Sequence, residues 1–181
     1  MCCFRSNVSE SADRSSESIQ SASGRKYCKS DPTIIQKYSE KDYGSLKAEL
    51  GVMKGLNKRF SEYVPEIVKF ERSGDDIERI EYEYIDDPTL SEHLTGRARN
   101  YKITREDWQE LTGLIDSIHE IGIAHGDIAR DNIMYGDRGW TIYDPAGIDI
   151  SDPDFEEAKR KDLNNISKLE ASLNKNRFAF H

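Results

Sequence analysis

HGDIARDNIMY, His125 to Tyr135, sets His125, Asp127, Asp131 and Asn132 within eight residues, between the apolar stretches IGIA and IMY. Carboxylates and an amide inside an otherwise apolar run cost folding free energy unless they are hydrogen-bonded, paired or used. A little further on, WTIYDPAG ends an apolar, strand-like run on another carboxylate, Asp144.

The elements around this loop can be read outward from it. Before it, Thr104 with Asp107 has the pattern of a helix start, and Trp108, Leu111, Ile115 and Ile118 follow at helical spacing up to Ile121-Gly122. Further upstream, Thr89 with Glu92 forms a second capping-box pattern and opens the short helix TLSEHL. After the loop, IMY and WTIYD are two short strands joined by GDRG. A last helix is predicted from Asp154 to Asn174, with Leu163, Ile166, Leu169 and Leu173 on one stripe.

The half of the chain before Asp86-Asp87-Pro88 has a different character. TIIQKYS, 33–39, is a β-branched run that predicts a strand. GSLKAELGVMKGLNKRF carries Leu46, Leu50, Met53 and Leu56 at helical steps, although Gly51 and Gly55 weaken the pattern. VPEIVKFERSGDDIERIEYEYI predicts a hairpin turning at SGDD, with Ile80, Tyr82 and Tyr84 alternating on its second strand. The expectation is an α+β chain in two lobes: a tail over 1–18, a small β-rich lobe over 19–86 and a reduced helical lobe over 87–181. The polar loop falls in the second lobe.

Composition sets the bounds. The 181 residues suffice for one compact domain, and 33% of them are charged. No apolar run is long enough for a membrane-spanning helix, and no secretory leader is read at the start. A net charge of −8 argues against a nucleic-acid partner. Three cysteines do not make a disulfide framework, so a reducing compartment is expected. The first twenty residues, MCCFRSNVSESADRSSESIQ, are too poor in apolar side chains to fold alone. Cys2 and Cys3 within them are adjacent thiols open to acylation, which would attach the chain to a membrane.

Phosphoryl transfer from a nucleotide needs a carboxylate beside the accepting hydroxyl, hard oxygen ligands for Mg²⁺ and a cation on the phosphates. Asp127 can orient or deprotonate a hydroxyl. Asn132 can offer an amide oxygen and Asp144 a carboxylate to a metal, a pair that holds a hard cation without stacking negative charge against a triphosphate. His-Gly-Asp-x4-Asn, two short strands and then Asp-x-x-Gly is a far more specific combination than any of its parts.

This combination resembles the catalytic loop and metal-binding motif of the protein-kinase-like superfamily. The HGD form is similar to that of aminoglycoside phosphotransferases and lipopolysaccharide kinases, and DPAG, 144–147, resembles the DFG motif. The resemblance implies Asp127 as catalytic base, Asn132 and Asp144 as metal ligands and a mostly structural His125. It also implies ATP with Mg²⁺ or Mn²⁺ as cofactors. Upstream it matches Lys37 to the strand lysine that contacts the phosphates, with Lys29 or Lys41 as alternatives. It matches Glu49 to the helix glutamate that pairs with that lysine, with Glu40 as the alternative. EYEYIDD becomes the hinge, with Glu83 and Ile85 offering backbone to the adenine. Asp162 becomes the helix aspartate that braces the catalytic loop.

The departures are equally specific. No GxGxxG precedes Lys37; Gly24, with Ser21 and Ser23 beside it, stands where a phosphate-covering loop belongs. Gly126 replaces the arginine that reads a phosphorylated activation loop, and little sequence separates DPAG from the last helix, so constitutive activity is expected. Ala129 replaces the catalytic-loop lysine, leaving Arg130 to supply that charge.

The short build and Ser-rich start resemble the reduced effector kinases that bacteria inject through type III secretion. Among these are Hop-type kinases acting on a host heat-shock chaperone and kinases engaging ubiquitin-conjugating enzymes. This implies a monomeric Ser/Thr protein kinase in host cytoplasm, with a host protein as substrate. The alternatives are a small-molecule kinase for a sugar or aminoglycoside, AMP transfer by the same residues, and a pseudokinase that only binds.

Overall fold

The computed structural model describes residues 18–20, 26–31, 34–38, 43–98 and 100–175, with side chains from Leu46 onward. Gly24, Ser21, Ser23, Cys2, Cys3 and the alternatives Lys41 and Glu40 lie outside the described residues.

The first lobe is an antiparallel sheet backed by one helix. Its strands are β1 (Ser18–Gln20), β2 (Lys26–Asp31), β3 (Ile34–Tyr38), β4 (Ile67–Ser73) and β5 (Asp76–Glu83), in the order β1-β2-β3-β5-β4. Among the described residues, Ser18, the last position of the span read as a tail, belongs to β1 and pairs with Cys28. β1 and β2 carry no clean alternation, and KYCKSD is a strand because it pairs with β3, not through propensity. β4 and β5 form the expected hairpin, whose turn places Gly74 at φ +64°.

Helix α1 (Tyr43–Arg59) runs without a break through Gly51 and Gly55, because its inner stripe of Leu46, Leu50, Met53 and Leu56 is buried against the sheet and the second lobe. Burial of that stripe outweighs the roughly 1 kcal/mol that each helical glycine costs.

The second lobe follows the hinge at Asp86-Asp87-Pro88. Helix α2 (Leu90–Leu94) and helix α3 (Arg105–Glu120) both open with complete capping boxes, Thr89–Glu92 and Thr104–Asp107. Trp108, Leu111, Leu114, Ile115 and Ile118 of α3 are buried. β6 (Ile123–Ala124) leads into the polar loop. β7 (Ile133–Gly136) and β8 (Gly139–Ile142) form a hairpin closed by Gly139 at φ +85°. A two-residue strand, β9 (Ile148–Asp149), pairs back onto β6, and helix α4 (Phe155–Lys175) completes the lobe.

The inner face of α4 differs from the predicted stripe. Leu163 is 45% exposed, while Phe155, Ala158, Asp162, Ile166 and Leu173 are buried. An aspartate takes the position one residue earlier because the loop beneath it presents backbone N–H groups that only a carboxylate satisfies. Among the described residues no helix is long and apolar enough to cross a membrane.

Candidate active site

The polar loop is suspended between α3, α4 and the β7–β8 hairpin. Asp162, fully buried, accepts three hydrogen bonds: from His125 N (2.8 Å) and His119 Nε2 (3.1 Å) on Oδ2, and from Gly126 N (2.9 Å) on Oδ1. Two neighbours on α4 extend the brace. Lys161 Nζ donates to Gly126 O (3.1 Å), and Asn165 Nδ2 donates to Ile128 O (3.0 Å). The brace on Asp162 was legible in the sequence; Lys161 and Asn165 were not, although Asn165 lies one turn further along the same helix.

His125 ties the loop to the DPAG segment. Burial pushes its imidazole below the usual histidine range, against the raising influence of Asp162, Asp144 and Asp127. The neutral ring accepts at Nδ1 from Asp127 N (3.3 Å) and donates from Nε2 to Tyr143 O (3.2 Å). Its backbone carbonyl accepts from Ala146 N (2.7 Å). Gly126 sits at φ +76°, and a Cβ there would stand 2.9 Å from both Ala146 Cβ and Ile148 Cδ1. A side chain as large as arginine has no place at this position.

Asp127 is exposed, and Asn132 Nδ2 donates both to its backbone carbonyl (2.9 Å) and to its Oδ2 (3.2 Å). That bond fixes the amide so that nitrogen faces Asp127 and the amide oxygen remains for another partner. Tyr143 N donates to Asn132 O (3.0 Å), extending the β7–β8 ladder by one pair, with Asp144 the next residue along the chain. Asp144 is buried at φ +64°, the one non-glycine residue at positive φ among those described. Aspartate tolerates that backbone better than most residues, and such conformations concentrate at functional sites. The structure thus brings Asp127 and Asn132 into contact, and Asp127 and Asp144 both act electrostatically on His125. Arg130 is exposed in the same loop, 3.8 Å from Asp131.

On the other lobe, Glu49 is buried on the inner side of α1 and accepts a hydrogen bond from Tyr82 Oη (2.9 Å). Lys37 occupies the β3 register opposite Ile80. Gly147, at φ +80°, packs directly on α1: a Cβ there would lie 2.6 Å from Glu49 N. The DPAG segment and the helix that carries Glu49 are therefore in backbone contact.

Between the lobes lies an open pocket lined by Pro65, Tyr82, Glu83, Ile85, Met134, Thr141 and Tyr143. Both hinge residues singled out in the sequence line it. Pro65, Met134 and Thr141 were not singled out in the sequence. Ile85 N–H and C=O have no hydrogen-bond partner among the described residues, which leaves a donor and an acceptor at the pocket edge. Glu83 Oε2 accepts from Arg138 Nη1 (2.6 Å), and Arg138 Nη2 donates to Ser61 O (3.2 Å).

A five-stranded sheet with one helix, a hinge, a helical lobe and a loop-plus-hairpin site between them define a protein-kinase-like fold. Solved structures share it. The Cydia pomonella granulovirus kinase PK-1 aligns with a TM-score of 0.52 at 14% identity, over 72% of this chain and 50% of that one. The bifunctional kinase-methyltransferase WbdD aligns at 0.54 and 19% identity, over 80% of this chain and 34% of the other. Monomeric WbdD aligns at 0.53 and 18%, over 83% and 40%. The chain thus spans half or less of the length of these structures. No family model matches it, and neither does any curated protein.

Proposed function

We propose that the chain is an ATP-dependent phosphotransferase that moves the γ-phosphoryl group to a hydroxyl. The observation that carries this reading is the bond from Asn132 Nδ2 to Asp127, beside an Asp144 held at positive φ on the adjoining strand end. It leaves the Asp127 carboxylate exposed and the Asn132 amide oxygen turned away from Asp127, and on this reading that oxygen works together with the Asp144 carboxylate. That division of labour suits an acceptor hydroxyl on one side and a cation on the other.

The donor set fits Mg²⁺ or Mn²⁺. Asn132 Oδ1 and the Asp144 carboxylate are hard oxygen donors, and Mg²⁺ takes few protein ligands when phosphates and water supply the rest. When bound, the ion would neutralise charge on the transferring phosphoryl group. The chain's own residues do the remainder. Asp127 orients the acceptor hydroxyl and takes its proton. Asn132 holds Asp127 in place. His125, neutral and bonded on both ring nitrogens, keeps the loop in register with DPAG. Tyr82, Glu83, Ile85 and Met134 give the adenine a flat slot, with the Ile85 backbone at its edge. Lys37 and Glu49 set the phosphates. Arg130 is a second cation for the phosphates.

The acceptor on this reading is a protein Ser or Thr. Asp127, Arg130 and Asp131 are all exposed, so the transfer face is open to a large partner that brings its own chain. Gly126 supports constitutive activity, because the arginine that would sense a phosphorylated loop cannot be accommodated there. Action on a host protein such as a heat-shock chaperone, as a secreted bacterial effector, extends the same reading and rests on the sequence resemblance.

The test is transfer of label from γ-³²P-ATP with Mg²⁺ or Mn²⁺ into the protein itself and into a eukaryotic lysate. Wild type is expected to label acceptors, and Asp144→Ala to lose roughly a hundredfold or more of the rate while remaining folded. Label from α-³²P-ATP in place of γ would replace phosphoryl transfer by AMP transfer. Absence of label from either, with nucleotide still bound, would make the chain a binding module.

A further inference from the structure

We infer that Tyr82 is a positioning residue for the reaction: from the wall of the nucleotide pocket, its hydroxyl holds Glu49 in the catalytic arrangement and keeps α1 docked. The inference rests on the phosphotransferase reading above and adds a residue to it.

Tyr82 belongs to two environments at once. It lines the interlobe pocket together with Glu83 and Ile85. It is also 4% exposed and donates from Oη to Glu49 Oε1 at 2.9 Å, in a contact that is buried throughout. Glu49 itself is 1% exposed. A carboxylate this deep must be hydrogen-bonded to be stable, and a bond to a charged acceptor inside the fold is stronger than a neutral one. The phenol gives Glu49 one such bond, from the sheet side of the helix.

The opposite side of the same turn of α1 is closed by backbone. Gly147 of DPAG fills the space against Ala48 and Glu49, with an added Cβ 2.6 Å from Glu49 N and 2.8 Å from Ala48 C. α1 is thus gripped from two directions at one residue: by Tyr82 from the sheet and by the DPAG segment from the second lobe. Both grips come from fixed elements, neither from a segment that needs modification. This accounts for activity without a regulatory arginine at position 126. It also couples the pocket wall to Glu49, because the ring that meets the nucleotide carries the hydroxyl that places the carboxylate.

The test compares full-length wild type with Tyr82→Phe, which keeps the ring and removes only the hydroxyl. Because Phe preserves the pocket wall, KM for ATP is expected to change by less than about threefold while kcat falls about tenfold. Glu49→Gln and the double variant complete a cycle. If Tyr82 acts through Glu49, adding Tyr82→Phe to Glu49→Gln lowers kcat by less than about twofold further. A purely structural role would lower Tm and leave the kcat of the folded fraction alone. Thermal unfolding is therefore followed in parallel, and kcat is referred to the folded fraction at a temperature below both transitions. Equal kcat for wild type and Tyr82→Phe, or losses that multiply in the double variant, would overturn the inference alone. A wild type that transfers no phosphate would overturn the phosphotransferase reading, and the inference with it.

Discussion

A Cβ on Gly147 would press on the backbone of α1, whereas one on Gly74 would meet nothing, although both glycines have positive φ. The pair separates two costs. Alanine at φ near +60° costs roughly 1–2 kcal/mol from its own backbone alone. At Gly147 that cost is joined by a clash at 2.6 Å with Glu49 N, which yields only if helix or DPAG segment moves. Gly74→Ala is therefore expected to destabilise by about 1–2 kcal/mol in urea unfolding with phosphotransfer retained. Gly147→Ala is expected to cost more than twice that and to remove most of the activity of the folded protein. Equal losses of stability at the two sites would refute the packing argument. At this scale the sequence was informative where a residue's role is local. Asp127, Asn132 and Asp144 lie in one short segment and its neighbouring strand, so their type and spacing could mark a candidate site. Glu49 and Tyr82 are 33 positions apart, and nothing in either neighbourhood announces the bond between them.

Helices announced themselves by their caps and stripes, and α4 shows where that reading stops. Periodicity favoured Leu163 as an inward residue because hydrophobicity is what a stripe is read from. The packed face instead runs through Asp162, since the element it covers is a loop whose N–H groups bond to that carboxylate and not another apolar surface. A polar residue at a core position is invisible to a hydrophobic pattern, and only the resemblance to a catalytic-loop brace pointed to it. The consequence is an inverted ranking of two adjacent substitutions. Asp162→Ala leaves the N–H groups of His125 and Gly126 buried without an acceptor, at about 1–3 kcal/mol each, and is expected to lose about 3–5 kcal/mol in all. Leu163→Glu, on the exposed side, is expected to change stability by less than about 0.5 kcal/mol. Chemical denaturation of the two variants checks this directly, and a larger loss at Leu163 would mean that the inner face of α4 is misassigned. The short strands β6 and β9 were also beyond the pattern, because two residues show no period; they exist through their mutual pairing and through Ile150 N donating to Gly122 O (2.8 Å).

At the scale of the whole molecule, the hinge was legible in Asp86-Asp87-Pro88, but what holds it was not. Asp87 folds back onto the β7–β8 turn, accepting from Asp137 N (3.1 Å) and Arg138 N (3.4 Å). Arg138 reaches from that turn across the cleft to Glu83 and to Ser61 O at the end of α1. Three segments remote in sequence meet at one guanidinium, an arrangement no local pattern encodes. The energetic weight of this contact is small for folding. Both side chains are about a third exposed, at 31% and 38%, and exposed ion pairs contribute about 0–1 kcal/mol. Its weight for the pocket is greater, since Glu83 lines the slot and its position depends on where the carboxylate is anchored. Arg138→Ala is therefore expected to lower stability by less than about 1 kcal/mol and to weaken binding of a fluorescent ATP analogue severalfold, roughly 3–10 times. The maximal rate should stay close to wild type, because neither Asp127 nor Glu49 depends on this contact. That outcome is the reverse of the one expected at Tyr82, where the rate falls and nucleotide affinity holds. If Arg138→Ala instead lowered kcat and left binding intact, the lobes would be coupled through the hinge rather than through α1 and DPAG, and the division between a pocket anchored by Arg138 and a catalytic helix anchored by Tyr82 would have to be abandoned.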